Sequence, residues 1–183
     1  DITPNRPDAF SHQGVARDIA CKTGRTFAPL IVEPVPSDEI QSLSISMENE
    51  VDCPRYIGGI VQNVKVGPSP EWIVERLKAA GQRSINNIVD ISNYVLLEMG
   101  HPTHIFDFDC LGNKEIHVRR AKKGESFTTL DEQKHTMDET HLLITDGKMP
   151  VALAGIMGGL GSAVSDTTTT LLVESAYFNP VTI

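Results

Sequence analysis

The stretch from Arg83 to Asp109, RSINNIVDISNYVLLEMGHPTHIFDFD, constrains this chain more than any other, because it sets one well-signalled helix among polar residues. Ser84 reads as the N-cap, and Ile88, Val95 and Met99, with Val89 and Leu96 beside them, recur at helical spacing as an apolar stripe. Gly100 followed by Pro102 is a stop signal. At about 3.6 residues per turn, Asn86, Asn87, Asp90, Asn93 and Glu98 fall largely off the stripe. His101 and His104 lie in the segment just beyond the helix. Polar groups are therefore expected to bracket a packed helix.

At 183 residues, 40% hydrophobic and 22% charged, the chain has the material for a real core. Its longest run of small and apolar residues, Val151 to Leu160, is half of the roughly 20 that a spanning helix needs, so no membrane span is expected. The first residues, DITPNRPDAF, lack a signal-peptide layout and an initial Met, which predicts a piece cut from a longer cytoplasmic protein. Cys21, Cys53 and Cys110 are odd in number and far apart, so they read as reduced thiols rather than a disulfide framework or a zinc motif. A net charge of −8 argues against a sequence-independent nucleic-acid surface; any nucleic acid must be met locally.

In chain order, TPNRPD is turn-rich and leads to a short helix from about Ser11, with Val15 and Ile19 four apart and Gly24 as its end. Residues 25–42, with Pro29, Pro34 and Pro36, read as a linker, and a domain boundary is placed near residue 40. The two expected divisions are 1–40, a tail of a preceding region with linker, and 41–183, the main domain. SLSISMENEV and RYIGGIVQNVKVG read as strands, with the Gly58 and Gly59 pair marking a bulge or a close backbone approach. Ser69, Pro70 and Glu71 open a second helix that continues through Trp72, Ile73 and Leu77 to Gly81. Beyond Asp109 the segments EIHVRRA, SFTTLD, KHTM, LLITDG, PVALAGIMG and LLVESAYF are short and β-rich, with a hairpin turn at Asp146 and Gly147. The expected fold class is α+β, a mixed or antiparallel sheet with packed helices.

Several residue groups could carry chemistry, and each has a bland alternative. His101 and His104 could ligate a metal, although no third ligand is patterned near them, and the alternative is a pair of ordinary loop histidines. The cluster Gly155, Gly158, Gly159 and Gly161 lacks the ending of a phosphate-binding loop, and tight backbone packing explains it as well. Glu174 interrupts an apolar strand, so it is either on an open face or buried for a reason; both readings stay open. Arg83 before the helix is either a surface charge or a substrate contact. From residues alone the reading stops at an α+β domain with a candidate polar pocket.

TPNRPD at 3–8, the whole of 83–109, ALAGIMGG at 152–159 and LLVESAYFNP at 171–180 together closely resemble the β subunits of bacterial phenylalanyl-tRNA synthetases. The resemblance covers essentially the whole chain in order and spacing, and the part from about residue 40 is similar to the B3/B4 domain, the editing module of that family. It implies hydrolysis of mischarged tyrosyl-tRNA(Phe), delivered on the tRNA 3′ end, in a pocket remote from the synthetic site. No metal or other cofactor is implied for editing, whereas ATP and Mg belong to the synthetic site of the full enzyme, a heterotetramer with an α subunit. The matched positions are His104 as the catalytic residue, and Glu174, Gly158, Gly155, Ala154 and Arg83 as substrate-binding residues. Many members have Gln-Pro-Met-His where this chain has His101, Pro102, Thr103 and His104, so His101 takes no family role. The chain ends at Ile183, before a segment that supplies a threonine to the same pocket in the family, which implies an incomplete site here.

Such a module has a physical rationale. An apolar pocket for phenylalanine rejects an analogue with one added hydroxyl only weakly, on the order of 100-fold, so a second sieve is needed. Neither a Ser, His, Asp arrangement nor an activated Cys is patterned, which favours attack by a positioned water. His104 would orient the ester or the water, backbone N–H groups of the glycine segment could face the developing oxyanion, and Glu174 would accept the tyrosine hydroxyl. His104, Gly158 and Glu174 are accordingly expected to converge. Two rival classes remain: a non-catalytic module that binds tRNA or another subunit, and a metal hydrolase built on HPTH.

Overall fold

Among residues 2–36 and 42–183, which the computed structural model describes, the chain forms three α-helices and ten strands. They divide between two units, Asp1–Glu39 with Gly67–Thr103 and Ile40–Val66 with His104–Ile183. The expected boundary near residue 40 lies outside the described residues, and residues 67–103 group with the leading segment. Residues 25–36 have no helix or strand and are almost all exposed, as their prolines require.

The first unit is helical. Ser11 caps α1 (His12–Thr23) by accepting from the Gly14 N–H, and Gly24 closes it in the left-handed region at φ 68°. Helix α2 (Glu71–Ala79) begins one residue later than its sequence signals indicate: Pro70 is the N-cap, and Ser69 is free to do something else. Helix α3 (Asn87–Met99) is capped by Asn86, whose side-chain oxygen accepts from the N–H groups of Ile88 and Val89 at 3.1 and 2.9 Å. Ser84 is therefore not the cap. Its hydroxyl donates instead to Asp90 Oδ2 at 2.6 Å, beside a bond from Ser69, while the Ile85 N–H donates to Oδ1 at 2.9 Å. Asp90, placed off the apolar stripe by its spacing, is 0% exposed and gathers the approach to α2 and the approach to α3 onto one carboxylate. Burial favours its neutral acid, yet these three donors outweigh burial and hold the carboxyl below its usual range. The predicted stripe is only partly buried, with Ile88 inside and Leu96 and Met99 exposed. Gly100 ends the helix in the left-handed region as read.

The second unit holds the sheets. A mixed sheet has the order β1 (Ser44–Met47), β4 (Glu115–Arg120), β7 (Leu142–Thr145), β8 (Pro150–Leu153), β9 (Met157–Gly158), and only its β1–β4 pair is parallel. A second, antiparallel sheet has β10 (Thr170–Tyr177) between β2 (Arg55–Gln62) and β3 (His104–Asp107). A short hairpin, β5 (Ser126–Thr128) with β6 (Lys134–Thr136), completes the unit. One core joins Tyr56, Phe106 and Leu172 of the antiparallel sheet to Ile116, Val118, Ile144, Val151 and Ala152 of the mixed one, so the two sheets share an apolar layer. The run LLIT does not alternate because β7 is covered on both faces: Leu142 and Ile144 join that core, and Leu143 joins Phe127 and Met137 on the other side. Asp146 and Gly147 turn the chain between β7 and β8, with Asp146 Oδ1 accepting from the N–H groups of Lys148 and Met149. The Asp52 carboxylate takes a two-pronged bond from Arg120 and one from Thr182, which ties the last residues to this unit. The α+β class with mixed and antiparallel sheets is as expected, and no helix of the described residues is long and apolar enough to cross a membrane.

Candidate functional site

His104 is not in a loop; it opens strand β3 and pairs directly with Glu174 on β10, which in turn pairs with Gly58 on β2. Residues opposite each other in an antiparallel ladder point to the same face, and so do residues two apart on a strand. Tyr56, Glu174, His104, Phe106 and Leu172 therefore share the face that carries the core. This parity makes Glu174 a buried carboxyl, 6% exposed, rather than a surface group.

Its environment is sparing with partners. The Tyr56 hydroxyl donates to Glu174 Oε2 at 2.8 Å, between two buried side chains. Across the ladder Gly58 contributes no side chain, and a Cβ there would lie 2.8 Å from Leu43 Cδ2 and 3.1 Å from both Ile45 Cδ1 and Leu172 Cδ1, so those side-chain ends would have to shift to admit one. Gly58 thus marks a close approach, not a bulge, within an unbroken register. Burial pushes the Glu174 carboxyl up to about 7, with the Tyr56 hydrogen bond pulling the other way.

The His104 ring stands edge-on to Phe106, with centroids 4.4 Å apart. Its other neighbour is the bare backbone of Gly158 on β9: a Cβ at that glycine would lie 2.4 Å from His104 Cε1 and 2.6 Å from Nε2. Burial lowers the imidazole to about 4, so it is uncharged at neutral pH. A neutral imidazole carries one donor and one acceptor, and a group of such low basicity serves better to orient a water than to hold its proton.

The structure brings His104, Gly158 and Glu174 together, although about 70 positions separate the first from the last. The other named residues are placed differently. Ala154 is 1% exposed within the core, and its N–H is donated to Leu142 O at 2.9 Å. Gly155 occupies the left-handed region at φ 68° in the turn between β8 and β9, against the Ile183 side chain. Arg83 is exposed and belongs to the helical unit, between α2 and α3. Of the N–H groups in the glycine segment, those of Ile156 and Gly159 are already donated, to Leu153 O and Val151 O, which leaves them unavailable to an oxyanion. His101 is exposed, and the described residues contain no group of three His, Cys, Asp or Glu able to hold a metal ion. Two apolar cavities of about 420 and 520 Å³ lie within the helical unit and include none of His104, Gly158 and Glu174. Size alone does not locate the chemistry, because neither cavity is lined by the buried carboxyl of Glu174 or the imidazole of His104.

Tyr56 and Phe106 are the residues that sequence reasoning missed. The only local signal was that Tyr56 precedes Gly58 by two and Phe106 follows His104 by two in strand-like words. Which face those positions share with Glu174 depends on register, which is a tertiary property.

The family model described as "B3/4 domain" matches residues 52–183. The chain is 51% identical over 184 residues to the phenylalanine–tRNA ligase β subunit of Geobacter sulfurreducens, a match that takes in 100% of this chain and 23% of that protein. It is 51% identical over 179 residues to the corresponding subunit of Geobacillus kaustophilus, covering 97% of this chain and 22% of the relative. The chain thus spans under a quarter of the length of these curated relatives. Its fold is like that of an N-terminal fragment of the phenylalanyl-tRNA synthetase β subunit from Pyrococcus horikoshii, with a TM-score of 0.55 at 18% identity, over 98% of this chain and 55% of that one. With a model match running through both sheets and the residues that meet at Glu174, the chain belongs to the B3/4 domain family.

Proposed function

We propose that this chain is the editing domain of a phenylalanyl-tRNA synthetase β subunit, and that it hydrolyses the ester of tyrosyl-tRNA(Phe) in a pocket that recognises the tyrosine hydroxyl. The observation that carries the reading is one buried carboxyl, Glu174, set beside one uncharged imidazole, His104, in an otherwise apolar layer. A buried carboxylate is an acceptor suited to a phenol, and phenylalanine would desolvate it without returning a bond. His104 hydrogen-bonds and orients the attacking water or the ester. The water oxygen bonds to the carbonyl carbon, the acyl–oxygen bond to the ribose breaks, and the ribose oxygen takes up a proton, releasing tyrosine and uncharged tRNA(Phe). The partners under this reading are the tRNA 3′ end carrying tyrosine and an α subunit, in a cytoplasmic heterotetramer whose ATP and Mg serve the separate synthetic site.

The test is deacylation of tyrosyl-tRNA(Phe) by the complete enzyme carrying His104→Ala, with phenylalanine activation measured alongside. The expected result is loss of deacylation with activation retained. An equal loss of both assigns His104 to holding the fold or the subunits together. Absence of deacylation by the unaltered enzyme would instead make the chain a module that only binds tRNA or another subunit, and loss of activity on adding a chelator would favour a metal hydrolase.

A further inference from the structure

We infer that Tyr56 is a positioning residue for substrate discrimination: its hydroxyl, bonded to Glu174 Oε2, fixes the carboxylate so that Oε1 is the oxygen left to accept a phenol. The inference rests on the proposed role of Glu174 and names the residue that makes that role possible.

Three observations carry it. Tyr56 is the one polar side chain bonded to Glu174 among the described residues, at 2.8 Å, and it is itself buried. The position facing Glu174 on the same strand is Gly58, which offers no restraint of its own. No buried side-chain oxygen among the described residues lacks a partner, so Oε1, which makes no hydrogen bond, keeps access to solvent. One oxygen is thus anchored inside the core, and the other keeps an unused acceptor position with some contact with solvent.

The chemistry of the internal pair matches that of the proposed ligand. Glu174 already accepts from one phenol, and a substrate tyrosine would add a second phenol to the other oxygen. A free carboxylate can rotate, whereas one anchored on Oε2 presents Oε1 in a single direction, which reduces the ordering needed on binding. Tyr56 also acts on the charge. Its hydroxyl favours the ionised carboxylate against burial, and burial followed by the Glu174 charge keeps the Tyr56 phenol protonated, hence always a donor. The other titratable groups around Glu174 are His104 across the β3–β10 ladder and the buried Cys53 thiol, which burial and then the Glu174 charge push up to about 11. Both are uncharged at neutral pH, so Tyr56 is the group among these that supports the ionised form.

The experiment compares Tyr56→Phe and Glu174→Gln in the complete α and β enzyme, reading kcat/KM for deacylation of tyrosyl- and phenylalanyl-tRNA(Phe) as a function of pH. Tyr56→Phe should lower the tyrosine-to-phenylalanine ratio at neutral pH by about 10-fold or more, the loss of one hydrogen bond to a charged group. It should also move the onset of tyrosine preference to higher pH, since Glu174 loses the bond that favours its ionisation; a purely structural role would not shift that onset. A wild-type ratio and onset in Tyr56→Phe, with the ratio lost in Glu174→Gln, would overturn the inference and leave the Glu174 reading intact. Wild-type ratios in both variants would overturn the two together. If Tyr56→Phe does not assemble, 3-fluorotyrosine at position 56 supplies a stronger donor of nearly the same shape. Tyrosine preference should then persist to lower pH, and an unmoved onset counts against the inference.

Discussion

His104 and Glu174 face each other on adjacent strands, and burial drives both toward their uncharged forms, the imidazole down to about 4 and the carboxyl up to about 7. Between those values the site holds a neutral acid beside a neutral base. Above about 7 it holds a carboxylate beside a neutral base, which is the state suited to accept a phenol and orient a water. The pair has opposite linkage to pH, and that gives the first prediction.

Glu174 binds its proton more tightly in the folded chain, about 7, than the ordinary 4.5 of an unfolded one. The folded state therefore holds more protons across that window, and stability falls as pH rises through it. The full loss, reached above about 7, is on the order of 3 kcal/mol. His104 works the other way: its imidazole is depressed from 6.5 to about 4, so its contribution is complete above 6.5 and is lost as pH falls toward 4. Urea unfolding of the chain across these windows should show Glu174→Gln removing the loss at rising pH, leaving a steeper loss on acidification. An unaltered pH slope in that variant would show that Glu174 titrates normally.

Discrimination should follow the same titration. Deacylation by the complete enzyme should favour tyrosyl over phenylalanyl ester most strongly above about 7, and the preference should decline as pH falls through that point. Glu174→Ala should weaken tyrosine binding and narrow the ratio by about 10- to 150-fold, the worth of a bond to a charged group. A tyrosine-to-phenylalanine ratio unchanged by that substitution removes Glu174 from specificity.

Gly158→Ala is expected to displace His104, because the new methyl group would lie 2.4 Å from its Cε1. The backbone of Gly158 is held on both sides, by pairing with Ala152 and by the Leu130 N–H on its carbonyl, so the ring is what must move. A displacement of about 1 Å can cost up to about 100-fold in rate. Deacylation should therefore drop in protein that is still folded, with a loss of about 1–3 kcal/mol of stability from the overpacking. Full activity in Gly158→Ala would mean that the His104 ring position is not critical.

Asp90→Ala should loosen the helical unit by withdrawing the common acceptor of Ser69, Ser84 and the Ile85 N–H. The loss is on the order of 3 kcal/mol, since the bonds go to one charged, fully buried group. Hydrogen exchange at the Ile85 amide reads it locally: faster exchange supports the assignment, and an unchanged rate shows that the amide has another protector.

What the sequence determined by itself is local. The ends of α1 at Ser11 and Gly24, the end of α3 at Gly100, the turn at Asp146 and Gly147 and the strand-like words around Glu174 all follow from backbone chemistry within a few residues. Caps compete over the same short range, and there sequence reasoning slipped. Ser84 and Asn86 are both good caps, and Asn86 prevails while Ser84 and Ser69 are drawn to Asp90, an acceptor whose burial no helical period signalled.

Only the tertiary structure decided what the polar residues face. Glu174 in LLVESAYF could be inside or outside, and pairing of β10 with both β2 and β3 put it inside, between Gly58 and His104. Tyr56, 118 positions away, became its partner for the same reason. A shift of one residue in that register would turn Glu174, His104 and Tyr56 to different faces, because side chains alternate with a period of two, and no pattern within a single strand records which neighbour it will meet or in what register.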